Sequence, residues 1–236
     1  MPSITAAAHT AIGLTRKTNE DDHRIYLDQE IVVQSGRPPL FAVADGMGSY
    51  RNGAQASSLA VDQLGHFYSL EPADFKGERS LQDLFFRANT AVTRLRNESR
   101  ANYGMGTTLT CLMVDPATLE AILLYVGDSG AWLLRAGELL RLTIPHVDQS
   151  GAITQHIGMG PGMQLERVRL LLAPGDRLLL CSDGVDGQVR SSMLDSVLRD
   201  APSPAEAAQA LTSLADKLGG KDNATAIVIF VGEATP

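Results

Sequence analysis

The chain has 236 residues, 44% of them hydrophobic, a net charge of −7 and a pI near 5.2. This length and hydrophobic content suffice for a substantial core, so we expect one domain over residues 1–236. The acidic balance and the lack of a basic run argue against a nucleic-acid partner. Because the sequence shows neither a secretion-signal pattern nor a run of membrane-spanning length, we expect a cytoplasmic protein without membrane contact.

Short apolar runs predict strands along most of the chain, and many of these runs are β-branched or continuously apolar. In chain order they are HRIYLD (23–28), EIVVQ (30–34), LFAVAD (40–45), TLTCLMV (108–114), EAILLYV (120–126), AWLLRA (131–136), LERVRLLL (165–172), DRLLLCS (176–182) and TAIVIFV (225–231). The two cysteines, Cys111 and Cys181, lie inside such runs, which is typical of free thiols that pack as small buried hydrophobes.

Helical periodicity is strongest in residues 53–70 and 80–100, two amphipathic segments that we expect to pair on one face of a sheet. A third helix is predicted after Ser203, which can cap it with Pro204 in the first turn, and it should end at a left-handed Gly219. The segments 135–139 and 173–177 carry Gly or Pro-Gly between apolar runs and predict hairpins. Antiparallel sheets covered by helices are the natural architecture.

Aspartates follow three of the apolar runs, each beside a glycine, in FAVADG (41–46), LLYVGDS (123–129) and LLLCSDG (178–184). A fourth precedes an apolar run in GGKDNATAIVI (219–229). We therefore expect Asp45, Asp128, Asp183 and Asp222 to project from the ends of buried strands. Carboxylates gathered in this way repel one another unless a cation lies between them, and Mg²⁺ and Mn²⁺ prefer such oxygen ligands. The pattern indicates a metal-centred hydrolase.

The order of these motifs resembles that of the metal-dependent protein phosphatases of the 2C type. The matching segments are GLTRKTNED (13–21), VADGMG (43–48), GMGTTLT (104–110), VGDSG (126–130), LTIPHVDQS (142–150), LCSDGVDG (180–187) and GGKDNATAIVI (219–229). They span almost the whole chain, and several motifs in one order are far more specific than a single Asp-Gly turn. The resemblance implies an α+β fold, a four-layer α-β-β-α sandwich with two central, mainly antiparallel sheets.

The resemblance also implies a metal centre with Mn²⁺ or Mg²⁺, two ions, and leaves a third ion open. Asp45 matches the carboxylate that bridges two metals, and Gly46 matches a residue that offers its backbone carbonyl. Asp183 and Asp222 match ligands of the first metal, whereas Asp128 matches a ligand of a third, weaker one. A glycine suits the carbonyl role because no Cβ obstructs the approach to an ion.

Three further residues match catalytic positions of the family. Glu20 and Asp21 match the acidic pair that receives metal-bound waters. Arg16 precedes Glu20 by the family's phosphate-binding spacing and can hold a phosphate bidentately, which a lysine would do less well. In the mechanism that the resemblance implies, a pair of cations activates water and offsets phosphoryl charge during in-line attack.

The chain departs from the family pattern at several points. Tyr50 stands where relatives usually carry a histidine, and a tyrosine is a poorer proton donor near neutral pH. The general acid is therefore unassigned. Hydrolysis of alkyl phosphates should be slowed more than that of aryl phosphates. Arg51 can stabilise charge there but not donate a proton. Gly130 ends VGDSG where relatives often have arginine, and His146 lies in an altered motif whose role stays open. The flap region between Ser150 and Leu165 is shortened, which predicts an open cleft and puts the third ion in doubt.

The sequence thus favours a metal-dependent phosphoserine/phosphothreonine protein phosphatase. Its partners would be a phosphoprotein substrate and, by family analogy, an opposing Ser/Thr kinase. The alternative is a catalytically weakened phosphatase-fold module that binds or signals, although such a module has no chemical need to retain four costly carboxylates. A phosphatase acting on a small metabolite is a third reading that differs only in the walls of the cleft.

Overall fold

Residues 2–47, 52–98 and 100–234 are described by a computed structural model, in which two antiparallel sheets lie face to face. The strands are β1 (Pro2–Ala11), β2 (Asp21–Tyr26), β3 (Leu40–Met47), β4 (Gly106–Thr107), β5 (Leu109–Val114), β6 (Glu120–Val126), β7 (Gly130–Arg135), β8 (Glu138–Arg141), β9 (Glu166–Leu171), β10 (Arg177–Cys181) and β11 (Ala224–Ala234). One sheet has the order β1-β11-β10-β7-β8; the other has the order β2-β3-β5-β6-β9, with β4 paired to β3.

Helices cover the outer face of each sheet. They are α1 (Glu30–Ser35), α2 (Gly53–Gly65), α3 (Glu78–Asn97), α4 (Asp183–Asp186), α5 (Ser191–Asp200) and α6 (Pro204–Lys217), with single 3₁₀ turns at His66–Ser69 and Arg100–Asn102. Helices α2 and α3 pack on the β2-containing sheet, while α5 and α6 pack on the β1-containing sheet. The molecule is therefore the α-β-β-α sandwich that the sequence predicted, and 53–70 and 80–100 do pair on one sheet face.

Strand β10 shows why the central strands are continuously apolar. Leu178 and Leu180 point into the core between the two sheets, whereas Leu179 and Cys181 point into the core beneath α5 and α6. A strand with a packed layer on each face buries every side chain, so the usual alternation of polar and apolar residues disappears. Both cysteines are free and buried, as expected.

The third predicted helix begins and ends as its capping residues indicate. The Ser203 hydroxyl accepts a hydrogen bond from the Glu206 backbone amide, and Pro204 opens α6. At the other end Gly219 has a φ of 132°, and the Gly219 and Gly220 amides donate to the Asp216 and Ala215 carbonyls. These two bonds satisfy carbonyls that the last helical turn leaves free.

Two sequence predictions are wrong. Residues 30–34 form helix α1 and not a strand, because a short apolar run fits either element and Gly36, with a φ of 63°, caps a helical turn. Residues 173–177 do not form a hairpin: they carry the chain from β9 in one sheet to β10 in the other. The predicted turn at 135–139 is a hairpin between β7 and β8, with Ala136 and Gly137 both at positive φ.

Two further elements had no counterpart in the sequence reading. Strand β1 is rich in alanine, a poor strand former, yet it pairs along most of its length with β11. Helix α5 covers β7 and β10 and was not predicted. Among the described residues, none of the helices is long and apolar enough to span a membrane.

Candidate metal centre

Five aspartates, which we call the acidic cluster, come from five separate segments of the chain: Asp21, Asp45, Asp128, Asp183 and Asp222. Asp21 begins β2 and lies directly opposite Asp45 on β3. Asp128 follows β6, Asp183 begins α4 and Asp222 precedes β11. Asp128, Asp183 and Asp222 are each separated by one residue from the end of a strand, and Asp45 lies near the end of β3. The sequence therefore placed these four residues correctly at strand ends.

Asp45 interacts with every other member of the acidic cluster. Burial raises the pKa of its carboxyl well above the ordinary value, and the charges of Asp21 and Asp183 raise it further. The Asp183 carboxyl lies within hydrogen-bonding reach of Asp45, and its own pKa is raised by burial and by Asp222. Two carboxyl groups can share such a bond only with a proton or a cation between them. Asp45 is thus the centre of a site in which a proton or a cation is needed to neutralise the carboxylate charges.

Hydroxyl groups of the opposite sheet hold Asp21 in place. The Ser182 and Thr225 hydroxyls donate to its Oδ2 atom at 2.7 and 2.6 Å. Its Oδ1 atom is buried and has no hydrogen-bond partner. Burial raises the pKa of Asp21 to about 6 in spite of the two hydroxyl bonds. An unpartnered buried carboxylate oxygen is unfavourable by itself and is a suitable acceptor for a cation or its waters.

Arg16 and Asp222 form an ion pair at the exposed side of the cluster, with Nη2 and Oδ2 2.5 Å apart. The hydrogen bond to Asp222 is the main cause that raises the pKa of Arg16. Because the Arg16 side chain is 48% exposed, an incoming phosphate can reach it. The predicted phosphate ligand and a predicted metal ligand therefore lie side by side.

Asn223 ties this part of the cluster together, although the sequence reading did not single it out. Its Nδ2 donates to the carbonyls of Ile12 and Thr18 at 2.8 and 3.0 Å, and its Oδ1 accepts from the Glu20 amide at 2.9 Å. A buried asparagine with all of these groups paired fixes the loop that carries Arg16 and Glu20. Its only sequence signal was its place in the GGKDNATAIVI motif.

Asp128 lies at the far side of the cluster. Burial raises its pKa to about 6, with a further contribution from the charge of Asp183, and its buried Oδ1 has no hydrogen-bond partner. The Thr108 and Ser129 hydroxyls bond to each other at 2.7 Å, and Thr108 also accepts the amide of Asp45 at 2.9 Å. This contact links the segment after β6 to β3, and it too was missed from the sequence.

Gly46 is required by packing as well as by any role toward an ion. A Cβ built there would lie 2.3 Å from the Gly53 carbonyl oxygen and 2.5 Å from that of Glu20. The Gly46 amide donates to the same Glu20 carbonyl at 3.1 Å. Any side chain at this position would separate β3 from the start of α2.

The donor set fits hard divalent cations, since it offers carboxylate oxygens of raised pKa and two buried oxygens without partners. Across residues 2–47, 52–98 and 100–234, however, no three acidic, histidine or cysteine side chains already have the spacing of a formed metal site. A suitable donor set without preformed metal-site spacing is consistent with carboxylate side chains that rotate toward the ions when these bind. The Asp183 carboxyl is within hydrogen-bonding reach of Asp45, and Asp21 lies opposite Asp45 on the paired strand, so only small adjustments are needed.

The structure shows the contacts of His146, whereas two other predicted positions lie outside the residues it describes. His146 is a structural residue, since its ring stacks on Tyr125 at 5.5 Å and its Nδ1 accepts the Gly127 amide at 3.1 Å. Tyr50 and Arg51 lie outside the described residues, so the question of the general acid rests on the sequence alone.

Comparison with known proteins agrees with this geometry. A family model described as Protein phosphatase 2C matches residues 15–219. The chain belongs to the protein phosphatase 2C family. It is 32% identical to the serine/threonine protein phosphatase PstP of Mycobacterium tuberculosis over 95% of this chain, and spans 44% of the length of that relative. It is 30% identical to the protein phosphatase PhpP of Streptococcus pneumoniae, covering 95% of this chain and 96% of that one.

Solved structures of the 2C family have the same fold. The M. tuberculosis PstP/Ppp phosphatase superposes with a TM-score of 0.84 at 29% identity, covering 99% of this chain and 100% of that one. The catalytic domain of PstP in complex with two manganese ions gives a TM-score of 0.83 at 30% identity, covering 99% and 100%. PppA of Pseudomonas aeruginosa, described as a regulatory component of its T6SS, gives 0.80 at 30% identity, covering 97% of each chain.

Proposed function

We propose that this chain is a metal-dependent protein-serine/threonine phosphatase, a phosphoric monoester hydrolase that uses Mn²⁺ or Mg²⁺. The observation that carries the proposal is the convergence of the acidic cluster around Asp45, whose carboxyl has a strongly raised pKa because its neighbours are themselves acidic. A protein gains no stability from such a cluster, so a cation-dependent function accounts for it best. Membership of the 2C family and the manganese complex of a relative support the same function.

In this proposal Asp45 would hold both ions, Asp183 and Asp222 would hold the first, and Gly46 would contribute its carbonyl. When bound, a pair of divalent cations lowers the pKa of water and offsets the charge that develops on a phosphoryl group. The chain supplies the rest. The pairing of β2 with β3 sets the spacing of Asp21 and Asp45, and it leaves the Oδ1 atom of Asp21 free to accept a hydrogen bond.

Arg16 would bind the phosphate of the substrate. It faces Asp222 at 2.5 Å, so occupation of Asp222 by a cation frees the guanidinium for the phosphoryl oxygens. A planar guanidinium can bind two of these oxygens together and so orient the phosphoryl group. The backbone of Glu20 is held by the bond from its amide to Asn223. In this proposal the carboxylates of Glu20 and Asp21 would accept hydrogen bonds from metal-bound waters.

The biological setting follows from the family. Relatives named serine/threonine phosphatases support phosphoproteins as the substrate class. An opposing Ser/Thr kinase as the functional partner and the cytoplasm as the location belong to the proposal by family analogy alone. The activity and partners of any longer protein containing this segment belong to the same proposal, because the M. tuberculosis relative extends well beyond the matched region.

The test is Mn²⁺-dependent hydrolysis of p-nitrophenyl phosphate and of a phosphothreonine peptide, before and after EDTA. We expect turnover of both substrates, loss with EDTA, and loss in Asp45→Asn but not in the control Asp62→Asn, whose carboxylate is exposed on α2. Undiminished activity after EDTA or in Asp45→Asn would disprove the proposal. Manganese binding without turnover would indicate the binding module instead, and faster turnover of sugar phosphates than of the peptide would indicate a metabolite phosphatase.

A further inference from the structure

A guanidinium lies beside Asp128 at the edge of the acidic cluster. Arg141 ends strand β8, and its Nη2 atom is 3.0 Å from the Oδ2 atom of Asp186. The same nitrogen donates a longer hydrogen bond, 3.4 Å, to the backbone carbonyl of Asp128. The Asp186 side chain is only 3% exposed, so the pair is sheltered from solvent on the carboxylate side.

The surroundings hold this cation in one place. The Trp132 indole nitrogen donates to the same Asp186 oxygen at 3.1 Å, and the Arg141 guanidinium lies over the Trp132 ring at 5.2 Å. A Cβ at Gly130 would come within 2.1 Å of that oxygen, so the carboxylate fills the space that a side chain at position 130 would need. Ion pair, indole bond and ring contact together restrict the arginine more than a surface ion pair does.

The charge of Arg141 acts on Asp128 in the same direction as a bound cation. The charges of Asp183 and Asp186 raise the pKa of Asp128, and that of Arg141 lowers it. A divalent ion placed at Asp128 would experience repulsion from a guanidinium that cannot lose its proton. Because Asp186 and Trp132 hold the guanidinium in place, the repulsion is present at every metal concentration.

We propose that Arg141 is a built-in monovalent cation that replaces a third metal ion beside Asp128, so that the centre binds two divalent ions and no third. The inference rests on the proposed two-ion phosphatase centre and adds to it a residue that sets metal stoichiometry. Asp186 acts as the carboxylate that positions the guanidinium, and Trp132 as the contact that keeps it from turning to solvent.

The experiment is calorimetric titration of the whole chain with Mn²⁺, combined with counting of bound ions by equilibrium dialysis. Wild type should bind two ions, and Arg141→Lys, which keeps the charge, should also bind two. Arg141→Gln should bind three ions, because one positive charge near Asp128 is lost. The matched control is Arg135→Gln at the end of the neighbouring strand β7, which breaks a similar pair with the buried Asp176 and should leave the count at two.

Arg141→Gln leaves Asp186 buried without its partner, which destabilises the fold. A second pair of variants therefore tests the inference without leaving an unpaired buried carboxylate. Asp186→Asn keeps the arginine, whereas Asp186→Asn combined with Arg141→Gln removes both charges. Of these two variants, only the double variant should take up a third ion, as Arg141→Gln alone does. Three ions on wild type, or equal counts in these two variants, would overturn the inference about Arg141. No Mn²⁺ uptake by wild type would instead overturn the proposed function on which the inference rests.

Discussion

The metal-free protein should lose stability as the pH rises toward neutrality. Burial raises the pKa of Asp21 from 3.8 to about 6, and the pKa values of Asp128 and Asp186 also rise to about 6. Between pH 3.8 and about pH 6 the folded state holds a proton on each of these carboxyls that the unfolded state has released. Protons therefore stabilise the fold fully below pH 3.8, and this contribution disappears as the pH rises through about 6.

The size of the effect follows from the shift. Two pKa units at about 1.4 kcal/mol each give a loss of about 3 kcal/mol for Asp21 over the whole window. Roughly half of this loss, a little over 1 kcal/mol, falls between about pH 5 and about pH 7.5. Asp128 and Asp186 add to this loss, whereas the lowered pKa values of the partly buried His23 and His146 oppose it over part of the same window.

Urea unfolding at about pH 5 and about pH 7.5 in EDTA measures this difference directly, with the m-value showing that the same transition is compared. Saturating Mn²⁺ should reverse the sign, because protons and metal compete for the same oxygens and the ligand stabilises the fold that binds it. A metal-free protein that is equally or more stable at the higher pH would refute the reasoning about the buried carboxylates.

Three substitutions test other parts of the site. Asp45→Asn should abolish Mn²⁺-dependent turnover yet raise the urea midpoint of the metal-free protein at neutral pH, since it removes a costly charge; a lowered midpoint would contradict this. Arg16→Lys should reduce kcat/KM for the phosphothreonine peptide by about tenfold with Mn²⁺ affinity unchanged, because lysine cannot bind phosphate bidentately, and an unchanged kcat/KM would count against the role. Asn223→Ala should cost about 2–4 kcal/mol of unfolding free energy, since it leaves two carbonyls and an amide unpaired, and a loss below about 1 kcal/mol would show that water replaces them.

The sequence was most informative where a short run of residues by itself indicates how that segment packs in the fold. Asp45, Asp128 and Asp183 each follow or end a run that is apolar throughout, and such short runs bounded by turn residues favour strands packed on both faces. Antiparallel sheets covered by helices were predictable from these runs and the turns between them, whereas the four-layer order was implied by the family resemblance. The helix from Pro204 was predictable for a different reason: Ser203 and Gly219 are capping residues whose conformations are set locally.

Most of the failures depend on partners distant in sequence, although the error at residues 30–34 is local, since a short apolar run fits either a strand or a helix. The alanines of β1 become a strand because β11 offers an unpaired edge. The turn at Pro174 resembles a hairpin locally, and only the pairing of β9 with β6 and of β10 with β11 assigns its two strands to different sheets. The contacts of Asn223, and the approach of Arg141 to Asp186, likewise join segments that no local pattern relates.

The central claim is that the acidic cluster holds two divalent cations around Asp45. A crystal structure of the protein with Mn²⁺, with anomalous differences measured at the manganese edge, tests it most directly. The account predicts two anomalous peaks about 4 Å apart, bridged by Asp45 and completed by Asp183 and Asp222, with Arg141 still on Asp186. The absence of anomalous density among these aspartates at millimolar Mn²⁺ would contradict it.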